Sequence, residues 1–253
     1  MLLFETGREA IAAPGVDQDA GGAQGRPFVY TQQMFFRACA VAALLGAPVL
    51  ASGQHGARGA HGNPADLDAY VARLLDPARD MWQKPAEVVA ALGLRSGQTV
   101  CDVGAGPGYF TLRLADAVGK EGRVYAVDVE ARILAALRDR LGEAGTRNVV
   151  PVLGLPDDPL LPPVACDLVL IVDTYHHFPD GPAYLRRLAR SLRPGGRIVN
   201  IDYDKRPTPV GPPLEHRLSR QEFITEATAA GLQVVGEPML LPHQYFVVLQ
   251  PKP

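Results

Sequence analysis

The stretch VCDVGAGPGYFTLRLA, Val100 to Ala115, sets three glycines into five positions between an apolar run ending in an acid and a segment with helical spacing. An apolar run, a bare turn and a helix make the opening unit of a doubly wound α/β sheet, in which ligands bind beyond the carboxyl ends of the strands. Gly104, Ala105, Gly106 and Gly108 occupy that turn, where missing side chains let backbone approach a ligand. Asp102 stands two residues before the first glycine. A carboxylate there repels a pyrophosphate and favours a ligand carrying an ammonium group.

Outward from this unit, strand-like and helix-like stretches alternate. DLDAYVARLLD and KPAEVVAALGL precede it as amphipathic helices, the second with Pro85 in its first turn and Gly93 near its end. GRVYAVDV, NVVPVL, CDLVLIVD and RIVNIDY read as strands, and ARILAALRDRLGEAG and PAYLRRLARSL as the helices between them, with a turn at RPGG. A later helix opens at Ser219 with Glu222 three residues on, the spacing of a capping box. LQVVGEP and HQYFVVLQ follow with no room for a helix between them, so they form an antiparallel hairpin at one edge. The fold expected is a doubly wound, Rossmann-like seven-stranded sheet with the last strand antiparallel.

The chain has 253 residues, 47% of them hydrophobic, enough for one packed core with additional segments. With Lys+Arg 25 against Asp+Glu 27 the formal net charge is -2, and no run of like charges is available to track a nucleic acid. Residues 1–62 are rich in Gly, Ala and Gln without apolar periodicity and are expected to form a disordered arm, leaving 63–253 as the folded domain. Within the arm, residues 34–51 are too short for a stable membrane span but suit a signal-peptide core and cleavage site. If Met34 is the true start, the protein is exported or periplasmic; otherwise it is cytoplasmic. Cys39, Cys101 and Cys166 share no metal-ligand spacing and are expected as small core residues.

The dinucleotide fingerprint is G-x-G-x-x-G, whereas the glycines here fall as G-x-G-x-G and Tyr109 holds the third-glycine position of that fingerprint. The next strand ends in Asp128, about twenty residues on, where an acid accepts both hydroxyls of an unphosphorylated ribose. D-x-G-x-G-x-G at Asp102 to Gly108, Asp128, LRPGG at Leu192 to Gly196 and the closing hairpin together resemble the class I S-adenosylmethionine-dependent methyltransferases, over roughly Asp66 to Gln250. Within them the chain looks most like the small bacterial type 11 enzymes that act on small molecules.

The resemblance implies that the glycine turn holds the methionine portion of S-adenosylmethionine, that Asp128 and the adjoining Val129 meet the ribose side, and that an acid after the third strand meets adenine. That acid normally follows the strand's final glycine directly, but Gly154 is followed by Leu155, and Asp157 is the substitute offered by GLPDDP. The fourth strand ends in VDTYHHFPD, placing Asp173 where it can accept from the cofactor or orient an acceptor, and His176 and His177 where either can act as general base toward a small acceptor. Two adjacent histidines make a poor metal site, and no metal is expected. Trp82 or Gln83 is a candidate cover for the cofactor, and His216 and Arg217 for contact with an anionic acceptor. A nicotinamide-dependent oxidoreductase and a non-catalytic S-adenosylmethionine-binding module are the competing readings.

Overall fold

A computed structural model describes residues 65–253. The arm expected over residues 1–62, its signal-peptide-like segment 34–51 and Cys39 lie outside the described residues.

The chain enters through α1 (Leu67–Leu74), capped by the Asp66 side chain, then a 3₁₀ turn (Pro77–Arg79), α2 (Asp80–Gln83) and α3 (Pro85–Ala91). Then follow β1 (Thr99–Val103), α4 (Thr111–Val118), β2 (Arg123–Asp128), α5 (Ala131–Glu143), β3 (Val149–Leu153) and β4 (Cys166–Val172). After a 3₁₀ turn (Tyr175–His177) come α6 (Gly181–Ser191), β5 (Leu192–Tyr203), α7 (Arg220–Ala229), β6 (Leu232–Gly236) and β7 (Gln244–Pro251). The sheet order is β3-β2-β1-β4-β5-β7-β6, with β1 to β5 parallel and β7 antiparallel to both of its neighbours.

Alternation along the central strands builds two apolar layers. Val100, Leu168, Leu170 and Ile201 pack with Val88 of α3, Leu92 just after it, and Leu114 and Val118 of α4. Cys101, Val103, Val169 and Ile171 face the other way, onto Leu185 and Leu188 of α6 and Phe223 and Ala227 of α7. Because both faces are covered, the central strands are mostly apolar, and β1 is buried at all five positions, Asp102 included. Ser219 and Glu222 form the expected capping box on α7.

Two details differ from the sequence reading. RPGG was expected as a turn before a strand, yet β5 already begins at Leu192. Leu192 pairs with Cys166 and Arg197 with Leu168, and the irregularity between them takes up the glycines within the strand. Cys101 and Cys166 are fully buried, as expected of core residues, but they are bonded to each other, with Cα atoms 6.1 Å apart on neighbouring strands. Their 65-residue separation in sequence hid that pairing.

From β1 the chain winds outward to β2 and β3, then crosses back to β4 on the other side of β1. The crevice created at the carboxyl ends of β1 and β4 is the switch point of a doubly wound sheet. It brings the glycine turn and the segment Asp173–His177 side by side.

Candidate active site

Gly104 and Gly108 are required by geometry. Both have positive φ, +76° and +91°; a Cβ on Gly104 would overlap the Thr174 side chain, and one on Gly108 would overlap Leu137. The turn is tied to the end of β2: the N–H groups of Gly104 and Ala105 donate to the Val127 carbonyl at 2.9 and 3.0 Å, and Gly106 N–H donates to Asp128 Oδ2 at 2.9 Å. Asp128 also accepts from Glu130 N–H at 3.0 Å. Burial raises its pKa, against those backbone hydrogen bonds. Val129, beside it, is 52% exposed.

Asp102 lies beneath the turn, not on its surface. It is 3% exposed and accepts from Thr111 Oγ1 at 2.6 Å; burial pushes its pKa up to about 7, with Thr111 opposing and Asp128 adding to the rise. At the end of β3, Gly154 N–H donates to the Asp128 carbonyl at 3.0 Å, and Leu155 is 49% exposed. Asp157 is exposed and pairs with Arg187 of α6 at 3.8 Å, beside Asp158, which accepts from Arg187 Nε at 3.2 Å. The chain thus leaves the neighbouring strands β2 and β3 through apolar Val129 and Leu155.

Across the crevice, Asp173 has φ +50° and accepts from Gln244 Nε2 at 2.6 Å, which ties the end of β4 to the start of β7. Gln83, fully buried, donates to Gln244 Oε1 at 2.9 Å and links α2 into the same chain of amides. Burial and the nearby charge of Asp202 raise Asp173 to about 7. His176 Nδ1 lies 2.9 and 3.1 Å from the two carboxylate oxygens of Asp202, and both side chains are enclosed, 6% and 0% exposed. Burial works against the imidazolium, but the charge and hydrogen bond of Asp202, with Asp173 behind them, prevail, so the His176 pKa is raised. His177 is exposed, its ring centroid 4.2 Å from that of His176.

The entry segment lies across this rim. The Arg79 guanidinium stands 4.2 Å from the Tyr109 ring centroid, 5.8 Å from that of Trp82 and 4.0 Å from Asp173 Oδ2. The Trp82 ring in turn meets that of Tyr203, centroids 5.7 Å apart, and the Tyr203 hydroxyl is buried without a hydrogen-bond partner. Trp82 thus packs between Arg79 and Tyr203, while Gln83 joins the chain of amides through Gln244. Arg217 is taken up structurally: it is buried, and its guanidinium donates to the carbonyls of Asp204, Arg206, Val210 and Pro212. That corrects its reading as a contact for an anionic acceptor, because its donors already hold the loop after β5 together.

Sequence reading missed Asp202, Gln244 and Arg79. An acid inside RIVNIDY, a mostly apolar strand, was a usable signal for Asp202, since a buried carboxylate demands a partner. Arg79 and Gln244 carry no local mark. Among the described residues, no group of three or more His, Cys, Asp or Glu is placed to hold a metal ion, and no helix is long and apolar enough to cross a membrane.

The family model described as a methyltransferase domain matches residues 100–196, from β1 into β5. The ubiquinone/menaquinone biosynthesis C-methyltransferase of Vibrio vulnificus is 32% identical over 123 residues, 48% of this chain and 46% of that protein. The demethylmenaquinone methyltransferase of Listeria welshimeri is 30% identical over 121 residues, 48% of this chain and 50% of that protein. The chain spans about half the length of these curated relatives. The crystal structure of a SAM-dependent methyltransferase from Aquifex aeolicus superposes with a TM-score of 0.69 at 28% identity, covering 72% of this chain and 96% of that one. The nicotinamide reading is not favoured: Tyr109, at the third-glycine position, is a buried side chain whose hydroxyl donates to Asp80. Glycine turn, strand order and sequence likeness all make the chain similar to class I S-adenosylmethionine-dependent methyltransferases.

Proposed function

We propose that this domain transfers the methyl group of S-adenosylmethionine to a small acceptor whose nucleophilic atom gives up a proton, with His176 as the general base. The observation that carries this reading is the enclosed His176–Asp202 pair beside Asp173 at the crevice. The residues fit the cofactor: Asp128 offers a carboxylate to ribose hydroxyls, Val129 and Leu155 offer apolar surface to a purine, and the glycine turn offers unobstructed backbone. The cofactor supplies an electrophilic methyl on a sulfonium.

The acceptor's electron pair forms the new bond to carbon while the sulfur keeps the pair of the bond it loses. The proton released from the acceptor passes to His176, whose Nδ1–H is engaged by Asp202 and whose Nε2 is then the basic nitrogen. The Tyr203 hydroxyl, without a hydrogen-bond partner, and the Trp82 ring that meets the Tyr203 ring are groups suited to an aromatic acceptor. The names of the relatives, quinone-biosynthesis C-methyltransferases, support hydroquinones and related phenols as the first acceptors to try.

The test is incubation with S-adenosylmethionine and a panel of such acceptors, followed by mass spectrometry for one added methyl. Methylation lost in His176→Asn while S-adenosylhomocysteine binding is kept supports the reading. Cofactor binding without turnover on any acceptor would favour the non-catalytic module.

We also propose that the domain matures in an oxidising compartment. The Cys101–Cys166 bond supports this, since such bonds are rare where thiols are kept reduced. The signal-peptide-like residues 34–51 point the same way. N-terminal sequencing of the native protein tests it: a mature chain that starts before Met34 ends the export reading.

A further inference from the structure

Among the described residues two buried side-chain polar atoms lack a hydrogen-bond partner, Asn200 Oδ1 and the Tyr203 hydroxyl. Such an atom costs the fold stability, because the hydrogen bonds it gave up to water are not replaced. Asn200 lies within β5, opposite Ile171 of β4, and its amide still donates to Tyr245 Oη at 3.3 Å. Tyr203, 2% exposed, is the last residue of β5, two positions past Ile201, which pairs with Val172 at the end of β4. It therefore stands level with Asp173, at the carboxyl ends of the strands.

The strand register fixes which way Tyr203 projects. It pairs with Gln244 of the antiparallel β7, and residues directly opposed in such a pair leave the same face, with Cβ atoms about 5 Å apart. Gln244 uses its amide on Asp173 and Gln83, so Tyr203 stands beside the acid at the end of β4. Asp202, the residue before it, holds His176. The ring of Tyr203 is clamped: the Trp82 ring meets it, and Gly211, with φ +101°, comes so close that a Cβ there would lie 2.5 Å from Cε1. The Arg217 guanidinium, 5.0 Å from the ring centroid, donates to the carbonyls of Val210 and Pro212 on either side of Gly211 and so fastens the loop against the ring. Burial and the charge of Asp173 raise the Tyr203 pKa, with Arg79 and Arg217 opposing, so the hydroxyl keeps its proton and can donate it to a hydrogen bond.

Resting on the function proposed above, we propose that the Tyr203 hydroxyl is the donor that binds the methyl acceptor, and that it takes the hydroxyl oxygen of a phenol. The oxygen of a phenol gains negative charge as its proton leaves, and a donor held in place grips it harder as that charge grows. Packing alone gives no reason for the hydroxyl, since phenylalanine would fill the same space between Trp82 and Gly211. Unpaired, the group costs the free protein stability; bound to the acceptor, it is satisfied. The phenol reaches it by displacing the Trp82 ring, and Trp82 is the one tryptophan of the chain, so its emission reports binding.

Fluorescence titration of the full chain with phenol, and with toluene, which has the ring but no hydroxyl, tests the assignment. The wild type should bind phenol about tenfold more tightly than toluene. Tyr203→Phe should bind the two alike, at the wild-type affinity for toluene, and should melt at the wild-type temperature or above it. Unchanged calorimetric affinity for S-adenosylhomocysteine shows that the variant is folded. On a phenol that the wild type methylates, Tyr203→Phe should lower kcat/KM by about tenfold or more. A wild type without preference for phenol overturns the assignment before any variant is made. So does an equal loss on phenol and toluene, no loss on either, or a variant that melts below the wild type, since the hydroxyl would then serve the fold. Methyl transfer unchanged in Tyr203→Phe overturns this site and leaves the proposed function standing. Phenol preference lost in Tyr203→Phe, with no methyl transferred to any acceptor by the wild type, supports the site and overturns the proposed function.

Discussion

His176 Nδ1 lies 2.9 Å from Asp202 Oδ2, and the enclosed carboxylate favours the charged imidazole. The groups that face His176 are Asp202 of β5, Asp173 at the end of β4 and, opposing them, Arg217. Because the His176 pKa is raised, the basic form appears only above its ordinary value near 6.5, and kcat/KM should climb with pH through that raised value. Asp202→Asn removes the charge that holds the pKa up, so the climb should move to lower pH. His176→Asn should lower kcat by about 10²–10⁴-fold. A group with a raised folded-state pKa stabilises below its unfolded pKa and loses that contribution as pH rises through the folded value. Asp202→Asn should therefore cost more stability at pH about 5.5 than at pH about 9, read from thermal melts at both. A pH profile identical to wild type would disconnect Asp202 from the proton transfer.

Asp128 holds the glycine turn through Gly106 N–H and, on the function proposed, also accepts from the ribose. Asp128→Ala should weaken S-adenosylhomocysteine by about 1–3 kcal/mol, since hydrogen bonds to a charged group are lost. Calorimetry checks it, and unchanged affinity would remove Asp128 from the ribose site.

Gly104 and Gly97 both have positive φ, yet their surroundings differ. Nothing lies within 4 Å of a Cβ on Gly97, whereas a Cβ on Gly104 would overlap Thr174. Gly97→Ala should therefore cost only the conformational penalty of about 1–2 kcal/mol. Gly104→Ala should cost more and also weaken cofactor binding, because either the turn or Thr174 must move. Denaturant melts of the two variants, run side by side, test the difference.

The Cys101–Cys166 bond joins the middle of β1 to the first residue of β4, away from the crevice at the carboxyl ends of the strands. Cys101→Ser with Cys166→Ser should destabilise the domain by about 2–5 kcal/mol, and a reducing agent should lower the wild-type melting temperature but not that of the double variant. Intact mass under non-reducing conditions, before and after thiol alkylation, identifies the bond itself. Two alkylatable thiols at these positions in unreduced native protein would contradict it.

The order of strands and helices, the glycine turn, Asp128 at the end of β2 and the closing hairpin were legible in the sequence, because each depends on local periodicity or on residue types a turn demands. RIVNIDY shows where that legibility stops. Its apolar pattern identified the strand, but only the pairing of β4 with β5 brought Asp202 against His176, 26 residues away. The same holds for Cys101 with Cys166, for Asp173 with Gln244, and for Arg79 over Tyr109. Asp102 could be read as acidic and close to the turn, but whether it faced the ligand or Thr111 depended on how α4 packs. Secondary structure follows from short-range sterics and hydrophobic spacing, which the chain carries in itself. Contacts between distant residues, and the shared titration they impose, exist only once the sheet has ordered its strands and closed its rim.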